Sequence, residues 1–392
     1  MVQRNPHLAK LKSGYLFPEI HKRKQQFLAQ NPHAQLISLG VGDTTEPIPD
    51  IVSLAMAQEA TRLSTPEGYS GYGPEQGLPE LRKKVASKIY QDLIDPSEVF
   101  ISDGAKCDIG RLQLLFGPHV SVAIQDPAYP VYVDGCIMQG VNEIFYMPCT
   151  ADNDFFPDLD STPRTDLIYF CSPNNPTGAV ASRLQLEKLV QFAKKNCSII
   201  IFDSAYACFI QDSSLPKSIF EIEGAREVAI EVNSFSKIAG FTGVRLGWTI
   251  VPKELKYADG TPVKNDWQRL TSTIFNGASN IAQYGGITAL GDTGWEELNK
   301  TIHFYLENAA LIKIALEKQG LHVFGGTHAP YLWVYYPKRL SWDVFQEILE
   351  KYHLVTTPGA GFGPSGEGFV RFTAFGHRET IKLATDRLNN KL

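Results

Sequence analysis

Long apolar runs are missing from this 392-residue chain: the longest, such as Ser198–Phe202, are strand-length, well short of the roughly 20 residues a membrane-spanning helix needs. The opening stretch MVQRNPHLAKLKSGY has no apolar core for secretion, so the cytosol is the expected location and no membrane partner is expected. An excess of basic charge is also missing. Lys and Arg total 37 against 42 Asp and Glu, a formal charge of -5, which gives a nucleic acid nothing to hold. The six cysteines (Cys107, Cys136, Cys149, Cys171, Cys197, Cys208) form no C-x-x-C pair, and several sit in apolar runs where a thiol acts as a small hydrophobe. The nine histidines lack the spacing to cysteine that a zinc site requires, so no metal is expected. Internal repeats and low-complexity tracts are absent too.

With 43% apolar and 20% charged residues, the chain has the composition of a folded globular protein and the length for two domains. From Glu98 to Val251, short β-rich runs alternate with polar or helical stretches: EVFIS at 98, VSVAIQ at 120, DLIYFC at 166, CSIIIFD at 197, EVAIEV at 227 and WTIV at 248. That rhythm predicts a mainly parallel sheet covered by helices. SRLQLEKLVQFAKK from Ser182 places Leu184, Leu186, Leu189, Val190 and Ala193 near one face, behind a capping serine and Gln185, and reads as a crossover helix. After about Leu290 a long helical stretch mixes with short strands such as YLWVYY and GFVRF. The expected division is an arm at 1–45 that belongs with the smaller part, a large α/β domain at 46–290, and a small α+β domain at 291–392.

In open α/β sheets ligands bind beyond the carboxyl ends of the strands, so the residues just after each run are the informative ones. After EVFIS comes Asp103-Gly104-Ala105-Lys106 and a helix, whose first N–H groups suit an anion such as phosphate. DLIYFC is followed by SPNNPTG, with Asn175; CSIIIF by Asp203 and then Tyr206; EVAIEV by Ser234, Ser236 and Lys237, with Arg245 beyond. A lone lysine or arginine is usually a solvated surface residue. Pyridoxal phosphate, however, needs an amine to hold it, a carboxylate at the pyridine nitrogen, donors to the ring hydroxyl, and cationic and hydroxyl groups for its phosphate. Lys237, Asp203, Asn175 with Tyr206, and Ser234 with Ser236 and Arg245 supply these in that order.

Ser234–Gly247, SFSKIAGFTGVRLG, resembles the lysine signature of the class I/II, fold-type I aminotransferases, and SPNNPTG and GYGPEQGLPELR from Gly71 resemble other marks of that family. The resemblance covers essentially the whole chain. SGYLF at 13, Gly42-Asp43-Thr44, STPEGYSGYG at 64, ISDGAKCD at 101, TIFNGASN at 273 and APYLWV at 329 resemble more narrowly the branch that acts on LL-diaminopimelate. The resemblance implies the fold-type I transferase architecture with a seven-stranded sheet and a homodimer with shared sites. In such a dimer Tyr72 would reach the neighbour's cofactor phosphate. It further implies Ala105 and Lys106 at the phosphate and substrate, Tyr129 stacked on the cofactor ring, and Arg371 on the substrate α-carboxylate. Tyr15, Gly42, Lys106, Tyr129, Asn175 and Asn276 would line the rest of the substrate pocket, with Glu67 a candidate for the distal ammonium.

The expected chemistry is transamination between LL-diaminopimelate and 2-oxoglutarate, with Lys237 moving the proton at the substrate α-carbon. An aminotransferase for another amino acid, a lyase on the same fold and a non-enzymatic regulator are the alternatives; the regulator lacks a DNA-binding segment and the charge to use one. Gly361-Phe-Gly363-Pro-Ser-Gly366 fits the letters of the dinucleotide fingerprint G-x-G-x-x-G. Pro364 inside it and the strand-like run after it argue instead for a glycine-rich turn beside the substrate pocket.

Overall fold

The computed structural model describes residues 1–11 and 16–390. Seven strands form the large sheet: β1 (Val99–Ser102), β2 (Ser121–Asp126), β3 (Glu143–Pro148), β4 (Leu167–Cys171), β5 (Ile199–Asp203), β6 (Ala229–Ser234) and β7 (Gly247–Ile250). Their order across the sheet is β1-β7-β6-β5-β4-β2-β3; β7 runs antiparallel to both its neighbours and the other pairings are parallel. The mainly parallel sheet expected from the sequence is therefore present. Strands buried on both faces read as nearly continuous apolar runs, and six of the seven were visible for that reason. β3 escaped the rhythm because it is an edge strand: of its residues only Met147 is buried, Phe145 and Tyr146 are exposed, and Pro148 ends it.

One core fills each face of this sheet. Phe170, Phe202, Trp248 and Phe235 lie on one side, and Ile124, Tyr132, Tyr169 and Ile230 on the other. Each fully buried large apolar side chain contributes about 1.5–3 kcal/mol. The helices that matter to the site are α1 (Leu16–Gln30), α2 (Asp50–Arg62), α3 (Ala105–Phe116), α4 (Val131–Gln139), α5 (Arg183–Asn196) and α6 (Asp292–Glu317). α5 begins as its sequence predicts, Ser182 Oγ accepting from the Gln185 N–H and Gln185 Oε1 from the Ser182 N–H, a box whose loss costs about 1 kcal/mol. The expected apolar face is corrected at Leu184, which lies two positions before Leu186, on the opposite side of the helix, and is exposed.

A second sheet has β8 (His322–Gly325), β9 (Tyr331–Tyr335), β10 (Thr357–Pro358) and β11 (Phe369–Thr373) in the order β10-β11-β9-β8, all antiparallel. Its own apolar cluster includes Leu332, Val334, Val370 and Phe372 against Ala309 and Ile312 of α6. The chain's early residues join it: Ile37–Ser38 pairs in parallel with Leu354–Val355, and Leu16, Ile20 and Phe27 of α1 pack with Trp333 and Phe345.

Candidate active site

Between the carboxyl ends of the large sheet and the second sheet lies a cavity of about 420 Å³. It is lined by Gly42, Ala105, Lys106, Tyr129, Asn175, Asp203, Tyr206, Ser234, Ser236, Lys237, Arg245 and Arg371, residues spread over 330 positions of sequence and singled out there individually. Phe17, Asp43, Tyr132, Thr242 and Tyr331, to which the sequence assigned no role, are also part of the wall. Three named residues are elsewhere. Tyr72 is 85% exposed and Glu67 and Asn276 are exposed, none of them lining this cavity. Tyr15 lies outside the described residues.

Lys237 sits in the single helical turn Phe235–Ile238, which Ser234 starts by accepting the Ser236 N–H on its Oγ. Its Nζ donates to the Gly42 carbonyl and stands 5.5 Å from the Phe375 ring and 6.0 Å from that of Tyr206. Burial brings the amine down to about 8; Arg371 and Arg245 push the same way, and Asp43 opposes them. The lowered value enlarges the share of free amine near neutral pH, which a nucleophile and proton carrier requires.

Asp203 ends β5 and is 6% exposed. Its Oδ1 accepts from the Ala205 N–H (3.0 Å) and its Oδ2 from the Tyr132 hydroxyl (2.8 Å), both neutral donors. Burial raises its carboxyl above the ordinary range, against those two hydrogen bonds. A cationic N–H in the cavity would offset the cost of holding that charge. Tyr132 is itself fixed by stacking on Tyr169, ring centroids 5.5 Å apart.

On the other side, Arg371 of β11 is 1% exposed and donates from Nη1 to Asn175 Oδ1 and from Nη2 to the Gly40 carbonyl. Tyr331 and Phe362 cover its faces, centroids 4.4 and 4.8 Å from Cζ. No carboxylate of the described residues pairs with it and its Nε has no partner, so burial lowers its pKa. An uncompensated guanidinium in this setting is built for a ligand carboxylate. Asn175 is thereby held with its oxygen toward Arg371. Tyr206 and Tyr331 share a 2.6 Å hydroxyl contact, and burial pushes both phenols up.

The phosphate end is equally specific. α3 starts at Ala105 behind Gly104, whose φ of +127° favours glycine and whose hypothetical Cβ would lie 2.4 Å from Arg245 Nη2. Arg245 has φ +70°, unusual for a side-chain-bearing residue, and donates from Nη1 to Ser236 Oγ (3.3 Å) and the Thr242 carbonyl (3.0 Å). The strained backbone places a guanidinium beside a helix N-terminus and two serines, an arrangement suited to a phosphate dianion.

The glycine-rich stretch is not a dinucleotide fingerprint. Two short 3-10 turns, Gly359–Phe362 and Pro364–Gly366, lead into β11, with no helix after the glycines.

The fold and this cavity define a cofactor-dependent transferase, and the chain belongs to the aminotransferase class I and II family, whose model matches residues 34–388. It is an aminotransferase that works with pyridoxal phosphate, which the buried acid, the depressed lysine and the phosphate end all fit. It is 58% identical, over 99% of this chain and 86% of the relative, to a probable LL-diaminopimelate aminotransferase, chloroplastic, of Oryza sativa subsp. japonica. An LL-diaminopimelate aminotransferase of Protochlamydia amoebophila (strain UWE25) is 54% identical over 100% of this chain and 98% of its own length. Among solved structures, the L,L-diaminopimelate aminotransferase from Chlamydomonas reinhardtii superposes with TM-score 0.95 at 56% identity, covering 98% of both chains.

Proposed function

We propose that this enzyme transfers an amino group between LL-2,6-diaminopimelate and 2-oxoglutarate, giving tetrahydrodipicolinate and glutamate, and that it runs in reverse where diaminopimelate and lysine are made. The observation that carries the reading is the cavity itself: a lysine amine brought down to about 8 faces a buried arginine that has no acidic partner among the described residues. The named relatives at 54–58% identity supply the substrate.

When bound, pyridoxal phosphate supplies an electron-withdrawing ring that stabilises the charge left at the substrate α-carbon. Arg371 binds the α-carboxylate through two parallel N–H donors, and Asn175 holds that guanidinium in place. Lys237 removes the α-proton and returns it on the other side of the exchange. Asp203, held by Tyr132, keeps its charge at the pyridine nitrogen. Ala105, Ser234, Ser236 and Arg245 would hold the phosphate, and Tyr129 would cover the ring. Gly42, whose Cβ would lie 2.3 Å from the Tyr331 hydroxyl, leaves room at the substrate end, beside Lys106.

The exposed residues Tyr72, Glu67 and Asn276 serve the cavity of a second copy, making the functional unit a homodimer. In support, their segments are neighbours: Asn280 Nδ2 donates to Ser70 Oγ (2.8 Å), and Gly73 lies against Asn280. Residues 1–45 and 291–392 act together as the smaller domain around the 46–290 domain, a division favoured by the Ile37–Ser38 pairing with Leu354–Val355. Six free thiols suit a reducing compartment, and the cytosol is the location proposed. No described helix is long and apolar enough to cross a membrane.

The deciding experiment is a half-reaction. Holoenzyme is mixed separately with LL-diaminopimelate, meso-diaminopimelate, glutamate, aspartate and alanine while the visible cofactor band is followed. Conversion by LL-diaminopimelate and glutamate but not by aspartate or alanine is the expected result. Conversion by aspartate or alanine alone removes the substrate assignment and keeps the aminotransferase.

A further inference from the structure

The glycine-rich stretch 359–366 does not bind a dinucleotide, yet its geometry is as demanding as if it did. Ser365 donates to Asp126 Oδ2 twice, from its N–H (3.0 Å) and from its hydroxyl (2.7 Å). Asp126 is the last residue of β2 and is 2% exposed. Gly363, between the two short turns, has φ +132°, and a Cβ there would fall 2.1 Å from Asp126 Oδ1, so only glycine permits the approach. A third hydrogen bond runs the other way, the Ala128 N–H donating to the Phe362 carbonyl at 2.9 Å.

These contacts join two pieces of the site that come from different sheets. Asp126 and Ala128 flank Pro127 in the loop that presents Tyr129, whereas Phe362 packs on Arg371 at 4.8 Å and against Trp333 at 6.0 Å. Nothing else in the reaction uses Asp126: its carboxylate sits away from the cavity wall, its Oδ1 has no partner among the described residues, and burial raises its pKa. Holding an uncompensated acid there costs stability, and the contact it sustains is the one between Tyr129's loop and Arg371's cover.

We propose that Asp126, Gly363 and Ser365 form a latch that sets the distance between the cofactor-ring side of the cavity and the carboxylate-binding side. They are positioning residues, touching neither cofactor nor substrate. Opening the latch therefore weakens the grip on every substrate carrying an α-carboxylate, donor and acceptor alike, while the phosphate end at Ser234, Ser236 and Arg245 keeps its hold on the cofactor. This rests on the reading of Arg371 as the carboxylate site.

The test is steady-state kinetics of the holoenzyme for Ser365→Ala, Ser365→Thr and Gly363→Ala, with Arg371→Lys as the reference and cofactor dissociation followed by its visible band. Losing one of the two Ser365 hydrogen bonds is expected to raise KM for both the amino donor and 2-oxoglutarate about two- to tenfold, with kcat changed less than about twofold. Ser365→Thr keeps the hydroxyl and, at a partly exposed position, restores KM. Gly363→Ala, which meets both a clash and a strained φ, has the larger effect of the two.

A raised KM in Arg371→Lys with unchanged KM in both Ser365→Ala and Gly363→Ala overturns the latch and leaves the carboxylate site standing. Unchanged KM in Arg371→Lys overturns the reading of that site, and the latch with it. A lowered thermal midpoint or faster cofactor loss in Ser365→Ala at constant KM marks a merely structural contact and also overturns it.

Discussion

On the floor of the cavity Asp203, Ser234 and Arg371 are 6%, 4% and 1% exposed, and each is held by hydrogen bonds from its own chain. Away from this cavity, at what would be the rim of a second copy's site, Tyr72 is 85% exposed, and Glu67 and Asn276 are open to solvent. The floor is arranged before any ligand arrives. The buried charges of Asp203 and Arg371 lack counter-charges among the described residues, so folding has already met their desolvation, and a ligand that supplies partners recovers it. The rim side chains make no hydrogen bond or ion pair among the described residues, so a second surface would be needed to fix them. Floor residues should therefore govern chemistry steeply and independently of protein concentration, and rim residues should act modestly and through association.

The largest expected effect is at Lys237. Lys237→Ala should slow the half-reaction with LL-diaminopimelate by about 10³-fold or more, within the range of general acid–base catalysis. Its thermal midpoint at pH 7 should not fall, because the amine it removes is disfavoured by burial. The same depressed value gives a pH signature in the chain stripped of cofactor. The amine is protonated below about 8 and free above it. The rate at which added pyridoxal phosphate is captured should rise with pH up to about 8 and then level off. A rise continuing to the ordinary lysine range near 10.5 would show that the floor does not desolvate the amine.

Next comes Asp203. Asp203→Ala should slow exchange of the substrate α-proton with solvent deuterium by about 10²–10³-fold, the usual size of a lost electrostatic contact at developing charge. Phosphate-end affinity, measured by cofactor dissociation, should change far less, because Ser234, Ser236 and Arg245 are untouched. Equal losses in both measurements would mean that Asp203 supports the fold of the floor and does not address the ring nitrogen.

The same contrast explains what could be read from sequence. Floor residues follow buried strands, and a buried parallel strand is an apolar run whose end is easy to find, so Asp203, Ser234 and Lys237 stood out at once. Tyr132 did not, because it lies on the helix after DPAYP, where an aromatic residue looks like core, and only the fold brings its hydroxyl to Asp203. Tyr331 was within a stretch already singled out, yet its 2.6 Å contact with Tyr206 spans 125 residues and has no local signal. β3 was lost through its exposed edge, and the Asp126–Ser365 contact through its separation of 239 positions. From the residues alone the arginine of β11 was a charge inside a β-rich run, its carboxylate role coming from the family resemblance, and its lack of an acidic partner among the described residues is a three-dimensional fact.

The smallest expected effect belongs to the rim, and it is the one that sharpens the comparison most. Tyr72→Phe removes one hydroxyl, so if that hydroxyl reaches a partner's phosphate, cofactor retention should weaken about tenfold, as for a hydrogen bond to a charged group. Because the group would act across an interface, the defect can be complemented. Mixing equal amounts of Tyr72→Ala and Lys237→Ala and allowing subunits to exchange makes about half the dimers mixed, each with one site carrying both native residues, so about a quarter of wild-type activity should return. A mixture that stays at the mean of the two variants, despite exchange confirmed by mass, would place Tyr72 outside the neighbour's site. The cavity of a single chain would then be complete, and the exposure of Tyr72 would be no more than that of an ordinary surface tyrosine.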